Sequence, residues 1–140
     1  MKIELIRILI DFGLVVLIWL VQLVIYPSFK HFNATNLFNW HKIYTSNVAI
    51  VVMPLMLGQL LVYGFLIFSE PTNFNIFGFI ITVSLWISTF LQFVPLHSSI
   101  SNQDISEKLL NQLVLRNWLR TGLWTILFIA SLFEYSFRLS

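Results

Sequence analysis

No charged side chain lies between Lys42 and Glu70, and most residues of that run are apolar. A run of this length exceeds the roughly 20 apolar residues that a helix needs to cross the hydrocarbon core of a bilayer. Charged residues make up only 10% of the whole chain, whereas a soluble domain has about 25%. The pattern therefore predicts an integral membrane protein whose main partner is the lipid bilayer.

Three further apolar stretches are also long enough to cross a membrane. All four together predict spans at residues 8–29, 43–69, 74–96 and 117–137. No small-residue cleavage site follows the first apolar run, so we expect the first span to be retained as a helix. The sequence thus predicts a single integral membrane domain, residues 1–140, with an all-α fold that forms a four-helix transmembrane bundle.

Charge and cysteine content exclude several classes of function. The formal net charge of +2 is too small and too scattered to predict nucleic acid as a partner. The chain has no cysteine, which excludes disulfide bonds, thiolate metal sites and a cysteine nucleophile.

The fourth span is the shortest uncharged one. Residues 121–133 separate Arg120 from Glu134, and as a helix they would cover about 20 Å. The hydrocarbon core is roughly 30 Å thick, so Arg120, Glu134 or both must lie within the membrane or at its edge. A charge held at that depth is costly and is a candidate for a functional site.

The connections between the spans differ. Residues 70–73 (Glu-Pro-Thr-Asn) are typical of a tight turn, so the second and third spans should form a hairpin. Residues 104–107 form a capping-box-like pattern, and leucines at helical spacing follow it. This connection predicts an amphipathic helix that lies along the interface or runs straight into the last span.

Short patterns in the two halves of the chain resemble each other. An Asn-Trp pair stands at residues 39–40, before the second span, and again at 117–118, at the start of the fourth. A glutamine followed by a proline closes the first and third spans, as Gln22 with Pro27 and Gln92 with Pro95. A duplicated two-helix hairpin would leave such patterns, although tryptophans also mark the membrane interface in unrelated helices.

Polar residues gather on one side of the predicted bundle. In an up-and-down bundle, the ends of the first and third spans lie beside the starts of the second and fourth. The residues on that side are Tyr26, His31, His41, Tyr44, His97, Arg116, Asn117 and Arg120. Because all three histidines of the chain fall there, we expect the functional site at this end.

Two other polar sets have simpler interpretations. Polar side chains within the spans should face the bundle interior and form interhelical hydrogen bonds; they are Gln22, Gln59, Ser88, Gln92 and Thr121. The charges on the opposite side are typical of membrane anchors; they are Lys2, Glu4, Arg7, Asp11, Glu70, Glu134 and Arg138. Of these, Arg7 and Asp11 are spaced to pair on one helix face.

One chemistry that fits the predicted cluster is haem binding. His41 and His97 on facing helices could be the axial ligands of a haem, with Arg116 and Arg120 pairing its propionates. Without a Cys-x-x-Cys-His motif, such a haem would be held non-covalently. A closed zinc site is not expected, because two histidines without a nearby carboxylate or thiolate leave the metal short of ligands.

A second chemistry needs no cofactor. His41 or His97 would be a general base, and Arg120 with Asn117 would stabilise an oxyanion on a lipophilic substrate such as a quinone or phenol. Tyr26 would lie beside them. The protein would then be a membrane-embedded oxidoreductase, or a protein that binds such a molecule.

A non-enzymatic function is the alternative to both. The polar cluster would then only hold the helices together. The chain would be a lipid-interacting protein, a homo-oligomer or a subunit of a larger membrane complex.

Several motifs together resemble a known group of proteins. They are Gln22 with residues 26–28 (Tyr-Pro-Ser), 53–56 (Met-Pro-Leu-Met), 94–97 (Val-Pro-Leu-His) and 117–121 (Asn-Trp-Leu-Arg-Thr). In this order they resemble a group of uncharacterised small four-helix bacterial integral membrane proteins, over most of the chain. The resemblance implies a multi-pass protein of the bacterial cytoplasmic (inner) membrane.

Two more distant resemblances concern size and layout. The chain is similar to the anthrone oxygenase-like membrane proteins, which oxidise polycyclic phenols without a recognised cofactor. It is also similar to the small haem-binding membrane protoporphyrinogen oxidases. Both likenesses are at the level of fold, so they lend little support to a function and assign no residue a role.

Overall fold

A computed structural model describes residues 2–140, apart from the side chain of Lys2, as four long helices in an up-and-down bundle. The first helix, α1, is continuous but changes type along its length: α-helix over Lys2–Leu20, π-helix over Val21–Ile25, an α turn at Tyr26–Ser28 and a 3-10 turn at Phe29–His31. The second helix, α2, covers Ala34–Ser69.

The second half of the chain repeats this arrangement. The third helix, α3, is α-helical over Asn73–Ser88, π-helical over Thr89–Phe93 and α-helical again over Val94–Ser101. The fourth helix, α4, covers Glu107–Leu139. With 92% of the residues helical and no strand in the described chain, the all-α prediction is confirmed.

Each predicted span lies inside a longer helix. The structure begins α4 at Glu107, so the amphipathic connection runs straight into the last span instead of lying apart from it. Polar side chains start three of the helices because each accepts a hydrogen bond from a backbone N–H of the first turn. These caps are Asn33 for α2, Thr72 for α3 and Ser106 for α4.

The two π segments have the same position relative to a proline. Val21–Ile25 ends two residues before Pro27, and Thr89–Phe93 ends two residues before Pro95. Proline lacks an N–H and its ring crowds the preceding turn, which disturbs regular α-helical bonding there. Each half of the chain is therefore a helix with a π segment followed by a long helix without one. The duplicated hairpin itself stays a prediction.

The helices pack as a ring around one core. α1 lies between α2 and α4, and α3 completes the ring between the same two helices. The largest side chains of the core include Trp124, Tyr63, Phe29, Phe93 and Leu14. Large apolar side chains are also exposed along the outside of all four helices. α1, α2 and α3 each contain a stretch that is long and apolar enough to cross a membrane.

Candidate functional site

Three side chains from three helices form a hydrogen-bonded chain where α1 and α3 end. The Tyr26 hydroxyl lies 3.0 Å from Nε2 of His97, and Nδ1 of His97 lies 2.7 Å from Nε2 of His41. The two imidazole rings are stacked with their centroids 5.0 Å apart. Tyr26 and His41 are buried, and His97 is half-buried. We call this group the Tyr26–His97–His41 chain.

The protons of this chain can be ordered in two directions. If Tyr26 donates to His97, then His97 donates to Nε2 of His41, and Nδ1 of His41 carries a proton. In the reverse order His41 donates to His97, which donates to the Tyr26 oxygen, so the Tyr26 proton is available to a further acceptor. Switching from the first order to the second passes the Tyr26 proton to His97 and releases the proton from Nδ1 of His41. Both histidines are neutral in either order.

Arg120 lies beside this chain on α4 and is only 6% exposed. Its guanidinium carbon is 4.2 Å from the ring centroid of Phe93 and 5.1 Å from that of Trp124. Tyr26 also interacts with the guanidinium. Within the described part of the chain no carboxylate pairs with Arg120, and its Nε has no hydrogen-bond partner. The ring contacts offset only part of the cost of removing this cation from water.

A cavity of about 430 Å³ lies next to Arg120 and is bordered by all four helices. The polar lining residues are Tyr26, Tyr44, Thr45, Thr89, His97, Ser98, Ser101 and Arg120. The apolar ones include Leu14, Leu17, Ile18, Val21, Val48, Val52 and Met53. Small-molecule sites have volumes of roughly 300–1,000 Å³ and are mostly apolar with a few polar groups. The cavity thus has the size and the lining of a ligand site.

Asn117, which the sequence places with Arg120, has another set of contacts. Its Nδ2 donates to Oε1 of Gln22 at 2.9 Å, and the Thr121 hydroxyl donates to the same oxygen at 3.3 Å. Nε2 of Gln22 donates to the backbone carbonyl of Val114 at 3.1 Å. This network joins α1 to α4 and does not line the cavity. Asn117 therefore holds helices together in this arrangement, and Arg120 faces the cavity without it.

The interior position predicted for Gln92 is wrong. Gln92 is half-buried and takes part in no hydrogen-bond network of the described residues. The π segment of α3 shifts the side chains after Ser88 by one position, so Phe93 turns inward instead and contacts Arg120. The sequence alone does not indicate the π segment.

The arrangement does not fit a haem between His41 and His97. The two imidazoles hydrogen-bond directly to each other, whereas axial ligands must lie on opposite faces of the macrocycle. Arg116, predicted to pair a propionate, is exposed and does not line the cavity. His31 is exposed as well. The residues present fit a cofactor-free site better than a bis-histidine haem.

A second polar cluster, which the sequence interpretation treats as anchors, is buried at the opposite end. Arg7 and Asp11 are each 1% exposed. Arg7 donates to the Ser131 hydroxyl at 2.9 Å and to Oδ1 of Asn75 at 3.4 Å. Asp11 accepts from Nε2 of Gln59 at 2.7 Å. The anchor interpretation of Arg7 and Asp11 is therefore wrong, because both side chains point into the bundle.

The two ends of the bundle are connected through Trp124. Its indole N–H donates to Oε1 of Gln59 at 3.1 Å, and the Gln59 amide donates to Asp11. Since an indole N–H can only donate, Trp124 fixes the orientation of the Gln59 amide, with its oxygen toward Trp124 and its NH2 group toward Asp11. The Trp124 ring, which contacts Arg120, is thus held by its hydrogen bond to Gln59, and Gln59 is held in turn by Asp11.

Comparison of the chain with protein-family models, with curated proteins and with solved structures finds no match.

Proposed function

We propose that the four helices span a membrane. Long apolar stretches in α1, α2 and α3 and the apolar outer surface support this. The charges of α4 are compatible with a fourth span, because Arg120 is turned into the bundle and Arg138 pairs with three carboxylates at the helix ends. A location in the bacterial cytoplasmic membrane rests on the resemblance alone.

We infer that the cavity binds a lipophilic molecule with an acidic oxygen, such as a phenol or quinol. The buried Arg120 guanidinium carries this proposal, because it faces the cavity and no carboxylate of the described chain pairs with it. An oxyanion placed there would supply the missing counter-charge in a low-dielectric space, where such a contact is strong. The apolar lining would take the rest of the molecule.

The Tyr26–His97–His41 chain then removes the proton of the ligand. The ligand O–H passes its proton to the Tyr26 oxygen while the Tyr26 proton passes to Nε2 of His97. His97 passes its Nδ1 proton to Nε2 of His41. The Nδ1 proton of His41 passes to a water molecule that must reach this buried nitrogen, which has no hydrogen-bond partner among the described residues. The ligand remains as an oxyanion against Arg120, and both histidines are neutral before and after. Loss of this proton prepares a phenol or quinol for oxidation, so the same arrangement suits an oxidoreductase with an external electron acceptor.

A non-enzymatic role is the second candidate, and one observation favours it. The network of Gln22, Asn117 and Thr121 joins α1 to α4 without touching the cavity. If the whole polar cluster had this purpose, the protein would be a lipid-interacting protein or a membrane subunit. Such a protein would bind a phenol no more tightly than the methyl ether of the same phenol.

The test is phenol binding by protein reconstituted in lipid nanodiscs. A long-chain alkylphenol should bind saturably and its methyl ether about 10- to 100-fold more weakly, because the ether cannot form an oxyanion. Arg120→Gln should reduce affinity for the phenol by a similar factor and leave the ether unaffected. The matched control is Arg116→Gln, an exposed arginine one turn earlier on α4, which should bind like the wild type.

Two results would contradict the proposal. Equal affinity for the phenol and its ether would favour the structural role of the polar cluster. A Soret absorption band in the purified protein would show that haem occupies the molecule and that the cofactor-free chemistry is wrong.

A further inference from the structure

The cavity is long and runs parallel to the helices. Its lining residues on α3 extend from Thr89 to Ser101 at intervals of about one helical turn, and those on α1 extend from Leu14 to Tyr26. At about 1.5 Å per residue, either stretch covers about 18 Å. A flat polycycle would use only part of such a space, whereas an extended chain would follow it.

The polar lining residues gather at one end of this length, apart from Thr89, whose hydroxyl donates to the backbone carbonyl of Leu85. Tyr26 and His97 meet through their hydrogen bond, and Ser101 lies one turn beyond them on α3. Leu14 lies three turns in the other direction on α1 and is surrounded by apolar lining residues, among them Ile18 and Val52. A ligand that fills the cavity therefore needs a polar head at the Arg120 end and an apolar tail toward the bundle middle.

The wall of the cavity is open on one side only. The lining residues from α1 and α4 are mostly buried, as Leu14, Trp124 and Arg120 show. Those from α2 and α3 include exposed side chains, among them Ala49, Met53 (45% exposed) and Val94 (51% exposed). The cavity thus reaches the outer surface between α2 and α3, which in a spanning bundle is the surface that lipid covers.

We propose that the ligand is a single-chain amphiphile with an acidic oxygen, which enters and leaves sideways from the bilayer between α2 and α3. This inference rests on the proposed function, because it needs a spanning bundle and a ligand oxyanion at Arg120. The polar end of the cavity lies at the helix ends and its apolar end lies deeper. A lipid of the same leaflet has the same orientation, so the ligand enters without turning over.

The head can come from a fatty acid or from a phenol with one alkyl or isoprenoid chain, since both present one ionisable oxygen. The probes are a fatty acid with a photoactivatable diazirine at its chain end, its methyl ester, and an alkylphenol with the same label. Each is added to the protein in nanodiscs, irradiated, and located by mass spectrometry of the labelled peptides. Exchange is followed by the loss of labelling after an excess of unlabelled ligand is added.

The acid or the phenol should label the deep end of the cavity, at Leu14 and Val52, about tenfold more than the methyl ester does. Whichever of the acid and the phenol labels these residues more strongly identifies the head group of the ligand. Ala49→Trp, at the opening, should slow exchange by about tenfold and leave the preference for the acidic head unchanged. Ile50→Trp is the matched control, since Ile50 is the next residue, is also exposed and does not line the cavity.

Val94→Trp, on the other side of the opening, should act like Ala49→Trp and replaces it if that variant does not fold. Specific labelling with unchanged exchange in the folded opening variant overturns sideways entry but leaves the proposed function standing. Labelling confined to shallow lining residues overturns the chain-shaped ligand. Equal labelling by acid, phenol and ester, spread over the outer surface, overturns the proposed function itself.

Discussion

Nδ1 of His97 and Nε2 of His41 are 2.7 Å apart, although the two residues are 56 positions apart in the sequence. A hydrogen bond between two neutral imidazoles requires one to donate and the other to accept, so the two rings must change their proton positions together. The bond with Tyr26 extends this coupling to the cavity. In the proposed mechanism, proton transfer from the ligand therefore depends on both histidines.

His97→Gln should separate ligand binding from ligand deprotonation. The variant keeps Arg120 and the cavity, so a chromogenic alkylphenol should still compete for binding. It removes the link between Tyr26 and His41, and the absorption band of bound phenolate at neutral pH should be lost. His31→Gln is the control, because His31 is exposed. A phenolate band of equal intensity in His97→Gln would show that the chain does not carry the proton.

Gln22→Leu should destabilise the bundle, whereas Gln92→Leu should not. Leucine at position 22 leaves the buried Asn117 amide without its partner and removes one hydrogen bond from the Val114 carbonyl, which lies inside α4. A buried polar group without a partner costs about 1–3 kcal/mol, so we expect a loss of that size in unfolding free energy. Gln92 takes no part in this network, and its loss should change stability by less than about 0.5 kcal/mol.

Equilibrium unfolding in mixed micelles, with helix content by circular dichroism, measures the difference between the two glutamine variants. Equal effects would mean that the α1–α4 network adds nothing to stability. Phenol binding by folded Gln22→Leu should be retained, since Gln22 does not line the cavity.

Asp11→Leu should cost more than Tyr63→Phe. Both changes affect the same hydrogen bond, in which the Tyr63 hydroxyl donates to Asp11 at 2.8 Å. Removing the carboxylate also leaves the buried Gln59 amide without an acceptor. We expect a loss of about 2–4 kcal/mol for Asp11→Leu and about 1 kcal/mol for Tyr63→Phe.

Chemical unfolding of these two variants in the same micelles provides the comparison. Similar losses would mean that Asp11 matters only through Tyr63. Because Gln59 orients Trp124, folded Asp11→Leu protein should also show a shifted tryptophan emission.

Gly78→Ala and Gly122→Ala should change stability in opposite directions. A Cβ at Gly78 would overlap the ring of Tyr63, which is fully buried and cannot move away. Overpacking of this kind costs about 1–3 kcal/mol. A Cβ at Gly122 meets nothing within 4 Å, so alanine there should stabilise α4 by about 0.5–1 kcal/mol. Thermal unfolding measures both, and a stable Gly78→Ala protein would contradict the packing of α3 against α2.

The helices could be predicted from the sequence because their apolar segments are long and are separated by short polar stretches. The same pattern gives the up-and-down order, and the order alone brings Tyr26, His41, His97 and Arg120 to one end. Their actual contacts depend on how far each helix is rotated about its axis. Composition and spacing contain little information about that rotation where a π segment interrupts the helix.

Arg7 and Asp11 illustrate a different difficulty. A charged residue near a helix end can extend outward to the membrane surface or inward to polar partners, and the sequence near it looks the same in both cases. The partners that favour the interior are far away in the chain, such as Ser131 for Arg7 and Gln59 for Asp11. Only the assembled bundle shows that they meet.

The π segments determine which way the site side chains point. Each residue of an α-helix turns the chain by about 100°, so in an unbroken helix His97 would be rotated about 120° from buried Leu85. The extra residue of the π segment reduces that angle to about 20°, and Tyr26 is brought into line with Ile18 in the same way. A one-residue deletion in the first π segment would turn Tyr26 away from the cavity, and one in the second would turn His97 away. The helix residues before each segment would keep their orientation. The π segments therefore set both the direction of the polar site and the packing of the core residues that follow them, such as Phe29 and Ile100.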